Sequence, residues 1–284
     1  MCRTVTDGWN VILSPHFDDA VLSLGGLIAK APDRAVVVTV FAGVPLAGVI
    51  GRWDRLSGFP MADAAIRARR QENEAALALI GVPQNGIRNL DHLDNQYRSQ
   101  CARGQAPTSD LCSSIAEDIR HLVSACHGRV NLFAPASTWH PDHQIVTDAV
   151  VELYRKGEFP GASFLLYQDQ PYAYLELRRK SLAPLKFARF SLLADLPEKT
   201  RDLTAEREFI DLDQSEVYAK INSFKKYRSQ FPFLKALISK MLLDFCYYQA
   251  RAAQRAARYV EVVYRLEAPE DASIVRTNID GKAA

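Results

Sequence analysis

Apolar residues along the chain fall into two alternating rhythms. Short runs rich in β-branched residues, NVILS (10–14), AVVVTVFAG (35–43), GIRNLD (86–91), VNLFAPA (130–136) and SFLLYQ (163–168), predict buried strands. Between them, DAVLSLGGLIAK (19–30), ADAAIRARRQENEAALALIG (62–81), SDLCSSIAEDIRHLVSAC (109–126) and PDHQIVTDAVVELYRK (141–156) carry apolar residues at helical spacing. Strands and helices taking turns in this way predict a Rossmann-like α/β fold, a mostly parallel sheet with helices on both faces.

Beyond residue 176 the rhythm changes. KFARFSLLADL (186–196) and YVEVVYRL (259–266) read as strands, and SEVYAKINSFKKYRSQ (215–230) and LKALISKMLLDFCYYQARAAQRAAR (234–258) as helices, which predicts a C-terminal α+β elaboration. No repeat, low-complexity tract or Pro/Gly/Ser linker separates it from the rest, so residues 1–284 are expected to form a single domain. Gly25 and Gly26 interrupt the first helix, where each glycine is worse than alanine by ~1 kcal/mol; close packing there is the expected reason.

Composition narrows the function classes. With 48% hydrophobic and 24% charged residues the chain can bury a sizeable core. Its 35 basic and 33 acidic residues leave a formal charge of +2 with no basic stripe, which argues against nucleic acid as a partner. The first ten residues lack the apolar core of a signal peptide and no run is long enough to span a bilayer, so a soluble cytoplasmic protein is expected. Five cysteines without a CxxC pair suit free thiols, with a Cys101–Cys112 bridge as the alternative.

The chemistry concentrates at two strand ends. His16, Asp18 and Asp19 follow NVILS directly and open a helix; His140, Asp142 and His143 do the same after VNLFAPA. In parallel sheets, ligands bind beyond the carboxyl ends of the strands. Singly, each aspartate can be a helix cap and each histidine a hydrogen-bonded scaffold. Two such clusters at equivalent ends are better explained together, because two imidazoles and one carboxylate with an open position form the ligand set of catalytic zinc. Spacing alone leaves open which three of the six side chains bind the ion.

PHFDD (15–19) with HPDH (140–143) resembles the PIG-L/LmbE-like N-deacetylases, which remove acetyl groups from amino sugars and related conjugates. RRQENEAALALIGV, KINSFKKYRSQ and YVEVVYRL extend the resemblance over about residues 8–267. It implies that His16, Asp19 and His143 hold Zn2+, that Asp18 is the general base, that His140 protonates the leaving amine or stabilises the oxyanion, and that Asp142 orients His140 and raises its pKa. It also implies substrate contacts from Arg69 and Asp94, although Arg69 beside Glu72 also reads as a solvated ion pair and Asp94 as a turn residue. A His-His-Asp set accepts Fe2+ or Co2+ as well. Two positions depart from the family pattern: Ala20 stands where it has glutamate, and Thr138 beside Trp139 where some members have tyrosine.

The expected partner is therefore a small N-acetylated sugar conjugate, with a homo-oligomer left open. Loops 43–59, 93–100 and 167–174 are expected to read it, through Arg52 and Trp53, Asp94 and Tyr97, and Tyr172; Tyr167 and Asp169 lie in the last of these. A metallophosphoesterase is the alternative enzyme, but it would need further ligands, and of the remaining histidines only His92 falls at a strand end. A non-catalytic metal- or sugar-binding protein would need neither Asp18 nor His140. No G-x-G-x-x-G follows the first strand, which removes a dinucleotide-binding reading.

Overall fold

A computed structural model describes residues 8–98, 100, 108–136, 140–174, 203–231 and 235–267. Its centre is one seven-stranded sheet in the order β3-β2-β1-β4-β5-β7-β6, made by β1 (Trp9–Ser14), β2 (Ala35–Thr39), β3 (Ile87–Asn89), β4 (Val130–Ala136), β5 (Ser163–Gln168), β6 (Ala205–Leu212) and β7 (Tyr259–Leu266). Strands β1 to β5 pair in parallel, and β7 runs antiparallel to both β5 and β6. The strand order reverses between β1 and β4, and loops diverging from such a switch point leave a crevice.

Successive strand residues point to opposite faces, and this alternation divides the core in two. Ile12, Val37, Phe133 and Leu165 face α1 (Asp19–Lys30), α3 (Ala62–Ile80), α7 (Gln214–Phe224) and α8 (Lys235–Ala252). Val11, Leu13, Val38 and Leu132 face α5 (Thr108–Ser124) and α6 (Pro141–Arg155). Two short helices, α2 (Arg52–Leu56) and α4 (Asn95–Arg98), sit in the loops after β2 and β3. Gly81 ends α3 at φ 101, and its N–H and that of Val82 both donate to Leu77 O, the glycine stop that the pattern predicts.

Three features differ from the pattern-based reading. Strand β6 was not predicted: AEREFIDL buries only Ile210 and Leu212, because it is an edge strand whose charges face solvent. The strand expected at 186–196 lies outside the described residues, as does Cys101. Helix α7 stops at Phe224, six residues before the predicted end at 230.

The glycine pair in α1 has a specific cause. The helix is broken at Leu24 (φ −123, ψ 20), and the backbone groups freed there are captured from far along the chain. Gly26 and Leu27 N–H donate to the two oxygens of Glu261 at 2.9 and 2.8 Å, while Lys220 Nζ donates to Ser23 O at 3.1 Å and pairs with Glu261 at 2.6 Å. A Cβ at Gly25 would come within 2.7 Å of Lys220 Cγ, and one at Gly26 would collide with Leu212. The close packing is thus against α7 as well as the β6 and β7 strands of the sheet. Among the described residues no helix is long and apolar enough to cross a membrane.

Candidate active site

Both histidine–aspartate clusters arrive at the β1/β4 switch point. His16, Asp18 and Asp19 enter on the turn between β1 and α1, and His140, Asp142 and His143 on the turn into α6. The local folding frees Asp18 and Asp142 from capping duty. Ser14 Oγ accepts from Ala20 N–H at 2.9 Å at the start of α1, and Asp18, at the N-cap position, makes no capping bond. At α6 the N-cap is His140, whose Nδ1 accepts from Asp142 N–H at 3.3 Å, so Asp142 keeps both carboxylate oxygens.

Three atoms form a nearly equilateral triangle. His16 Nδ1 lies 3.3 Å from Asp19 Oδ2, Asp19 Oδ2 lies 3.2 Å from His143 Nε2, and the two nitrogens lie 3.2 Å apart. Tetrahedral ligands held ~2.0–2.1 Å from zinc lie ~3.3 Å from one another, so the residues present fit such an ion. The outer nitrogens strengthen the fit. His143 Nδ1 is 2.7 Å from Asp169 Oδ2, and His16 Nε2 is 3.1 Å from Asp142 Oδ2. Each carboxylate holds the proton on the outer nitrogen and leaves the inner lone pair facing the triangle.

The electrostatics agree with this geometry. Burial disfavours an imidazolium at His143, yet the charges and hydrogen bonds of Asp169 and Asp19 raise it to about 10. His16 is raised in the same way, burial being outweighed by Asp142 and Asp19. Buried nitrogens with such proton affinity mark a place built for positive charge, which a divalent ion supplies as well as a proton does. Burial and the adjacent Asp19 carboxylate push Asp18 up to about 7, while burial and the charges of His16 and His143 push His140 down to about 4. His140 is therefore neutral near pH 7, with Nδ1 an acceptor and Nε2 carrying the proton.

This corrects the expected role of Asp142. Its carboxylate faces His16 and Arg98 rather than His140, and although burial opposes its ionisation, those two partners hold it at about 2. The physical reason is direction: at the first turn of α6, Asp142 points back towards β1, and Asn95 N–H and Arg98 of α4 reach it there. The Asp142 charge does raise the His140 pKa, but burial and the charges of His16 and His143 outweigh it, and the contact between the two residues is the Asp142 N–H rather than its carboxylate.

The centre opens on a cleft of about 570 Å³, a size that suits a small molecule. His16, Asp18, Asp19 and His140 form its floor, and His143 and Asp142 lie beneath, fully buried. Arg69 and Asp94 both line the cleft. Arg69 is buried and pairs with Asp54 at 2.8 Å; Glu72, the expected surface partner, binds Ser229 instead. Asp94 is held as an acceptor by Gln96 and stands 4.0 Å from His16 Nε2. Of the loop residues, Arg52, Trp53, Tyr97 and Tyr172 line the cleft, whereas Tyr167 is in the core, donating to Leu13 O at 2.9 Å. Thr138 and Trp139 lie outside the described residues.

Sequence reasoning missed four residues. Asp169 was read only as a pocket-lining residue, and its position at the end of β5 was the available signal. Asp54, fully buried, accepts from Gly51 N–H and Tyr97 Oη as well as pairing with Arg69. Arg98 gave no signal beyond its place in a strand-end loop. Gln230 lines the cleft from the turn after α7.

Known proteins resemble this chain to different extents. The 2'-N-acetylparomamine deacetylase of Streptomyces fradiae is 31% identical over 179 residues, which cover 58% of this chain and 58% of that protein. The solved structure of the A40926 pseudoaglycone deacetylase Dbv21 is 28% identical with a TM-score of 0.69, covering 92% of this chain and 97% of that one. A deacetylase of teicoplanin biosynthesis, solved as a bog complex, is 25% identical with a TM-score of 0.68, covering 92% and 99%. The family model described as GlcNAc-PI de-N-acetylase matches residues 11–154, a span that holds β1, β4 and both histidine–aspartate clusters, and the chain belongs to this PIG-L family.

Proposed function

We propose that this chain is a metal-dependent N-deacetylase that removes an acetyl group from the amide nitrogen of an N-acetylated amino sugar or sugar conjugate. The observation that carries the reading is the triangle of His16 Nδ1, Asp19 Oδ2 and His143 Nε2, with both outer nitrogens tied to carboxylates. These three residues would hold the ion, Zn2+ by donor type, with Fe2+ or Co2+ acceptable to the same set. Similarity to a 2'-N-acetylparomamine deacetylase and to the A40926 pseudoaglycone deacetylase supports the substrate class.

When bound, a divalent ion supplies Lewis acidity towards the attacking water and the amide carbonyl. The chain supplies the proton transfers. Asp18 is a buried carboxylate with no capping bond, raised towards neutrality, and takes a proton from the attacking water. His140, neutral and with Nδ1 engaged by the backbone, presents Nε2–H to the carbonyl oxygen as negative charge develops there. As the C–N bond breaks, the protonated Asp18 returns its proton to the amine, and acetate and the free amino sugar leave. Arg69 and Asp94, on the cleft wall, bind the sugar.

Among the described residues each group of potential ligands contains His16 or His143, so with both assigned to one ion a two-metal phosphoesterase has no independent second set. The test is acetate release from a panel of N-acetylglucosamine conjugates, with metal analysis of wild type and His143→Ala. Acetate release with stoichiometric metal in the wild type, and loss of both in the variant, is the expected result. A variant that keeps stoichiometric metal with unchanged affinity overturns the ligand assignment.

A further inference from the structure

Most groups around the cleft have a partner or a proposed role, but Gln230 has neither. It is 7% exposed and lines the cleft, yet its Nε2 has no hydrogen-bond partner among the described residues. A buried amide left in that state is unfavourable, and native proteins rarely keep one without a use for it.

The turn that carries Gln230 is built to hold it. Ser229 N–H donates to both oxygens of Glu72, at 2.8 and 3.1 Å, and Ser229 Oγ donates to Glu72 Oε2 at 2.8 Å. Ser57, just after α2, donates its Oγ to Ser229 O at 2.6 Å. All the polar groups of Ser229 are thus clamped from α3 and from the loop after α2, one residue before Gln230. On the other side, the Phe231 ring packs 5.3 Å from that of Phe224. Glu72 lies three residues after Arg69, so the two share a face of α3 and serve the same cleft. Arg69 Nε is likewise buried without an acceptor among the described residues.

We infer that Gln230 is a substrate-reading residue that hydrogen-bonds a ring hydroxyl of the amino sugar, with Glu72 and Ser57 as its positioning residues. A hydroxyl both donates and accepts, so it satisfies the amide whichever way the side chain is turned. The inference rests on the deacetylase reading for the identity of the ligand. It lies beyond the family match, which ends at residue 154, and assigns part of the specificity to the C-terminal elaboration.

The experiment measures kcat/KM for methyl N-acetylglucosaminide and its 3-deoxy, 4-deoxy and 6-deoxy analogues. Wild type should lose ~10–100-fold on one analogue, the loss typical of a buried polar group deprived of its partner. Gln230→Met, similar in volume but apolar, should fall to that level on the parent glycoside and no longer distinguish the two, with metal content unchanged. Gln230→Glu, which keeps an acceptor, should retain part of the discrimination. Wild-type discrimination in Gln230→Met, or no discrimination in wild type, overturns the inference. If no glycoside releases acetate, the deacetylase reading fails instead. Calorimetric binding of the same glycosides then decides on Gln230: ~10-fold weaker binding to Gln230→Met supports it, and equal affinity or no binding overturns it.

Discussion

Two clusters of buried charge meet helix α1, one at its first turn and one at its break, and similar side chains serve opposite ends in them. At the break, Lys220 and Glu261 are 1% and 3% exposed, and their partners are mainly backbone groups: Ser23 O for the ammonium, Gly26 and Leu27 N–H for the carboxylate. At the first turn, Asp18 has no cap bond, His140 is held neutral, and the centre faces a cleft. A satisfied cluster fixes a shape; one with groups left available at a cavity does chemistry. Burial and residue type are common to both, so neither identifies a site by itself.

The contrast makes predictions that can be broken. Asp18→Asn should reduce kcat by ~10²–10⁴-fold while metal content and melting temperature stay near wild type. Loss of the metal in that variant would make Asp18 a ligand instead of a base. Glu261→Gln should do the reverse, lowering stability by ~3–5 kcal/mol in denaturant unfolding by stranding the Lys220 charge, with metal affinity unchanged. Replacing the pair together by Met and Leu sharpens the point. Many buried pairs tolerate such a swap, but here Gly26 and Leu27 N–H would lose their acceptor, so the double variant should remain destabilised by ~1–3 kcal/mol per orphaned group.

Smaller effects are expected one layer out from the triangle. Asp169→Ala should weaken metal binding ~10–100-fold in a competition titration, because His143 loses the group that fixes its tautomer. Unchanged affinity would show that the ring is held by packing alone. The smallest effect is a pH dependence at the structural cluster. Burial disfavours the Lys220 ammonium, but Glu261 raises its pKa above 10.5. A raised basic group stabilises fully below its unfolded value and loses that contribution as pH rises through the folded one. Melting temperature should therefore decline above pH ~10.5 more steeply in wild type than in Lys220→Met. Parallel declines would deny the pair its electrostatic role.

Much of this was legible in the sequence where the signal is local. The helices at 19–30 and 62–80 and the β1 and β4 strand ends follow from apolar spacing and a glycine stop, and the two His–Asp clusters sit in contiguous runs. Strand β6 was not legible, because an edge strand buries so little that its pattern is close to that of a loop. Asp142 was legible as a site residue, but the His16 and Arg98 partners of its carboxylate were not, since sequence neighbourhood to His140 says nothing about which way the first turn of α6 points its side chain.

The sequence by itself determined the order of the main strands and helices from β1 to β5, the two strand ends where the His–Asp clusters lie, and the residue types available there, because periodicity and capping act within a few residues. Tertiary structure alone decided which atoms meet. Asp142 reaches across 126 positions to His16, Glu261 across 235 to Gly26, and Glu72 across 157 to Ser229. Hydrogen bonds and charge pairs depend on ångström distances and on the direction of a side chain. Those are set only when helices pack on the sheet, which is why the His16–Asp19–His143 triangle, the neutral His140 and the Gln230 held beside a clamped Ser229 become visible only in the fold.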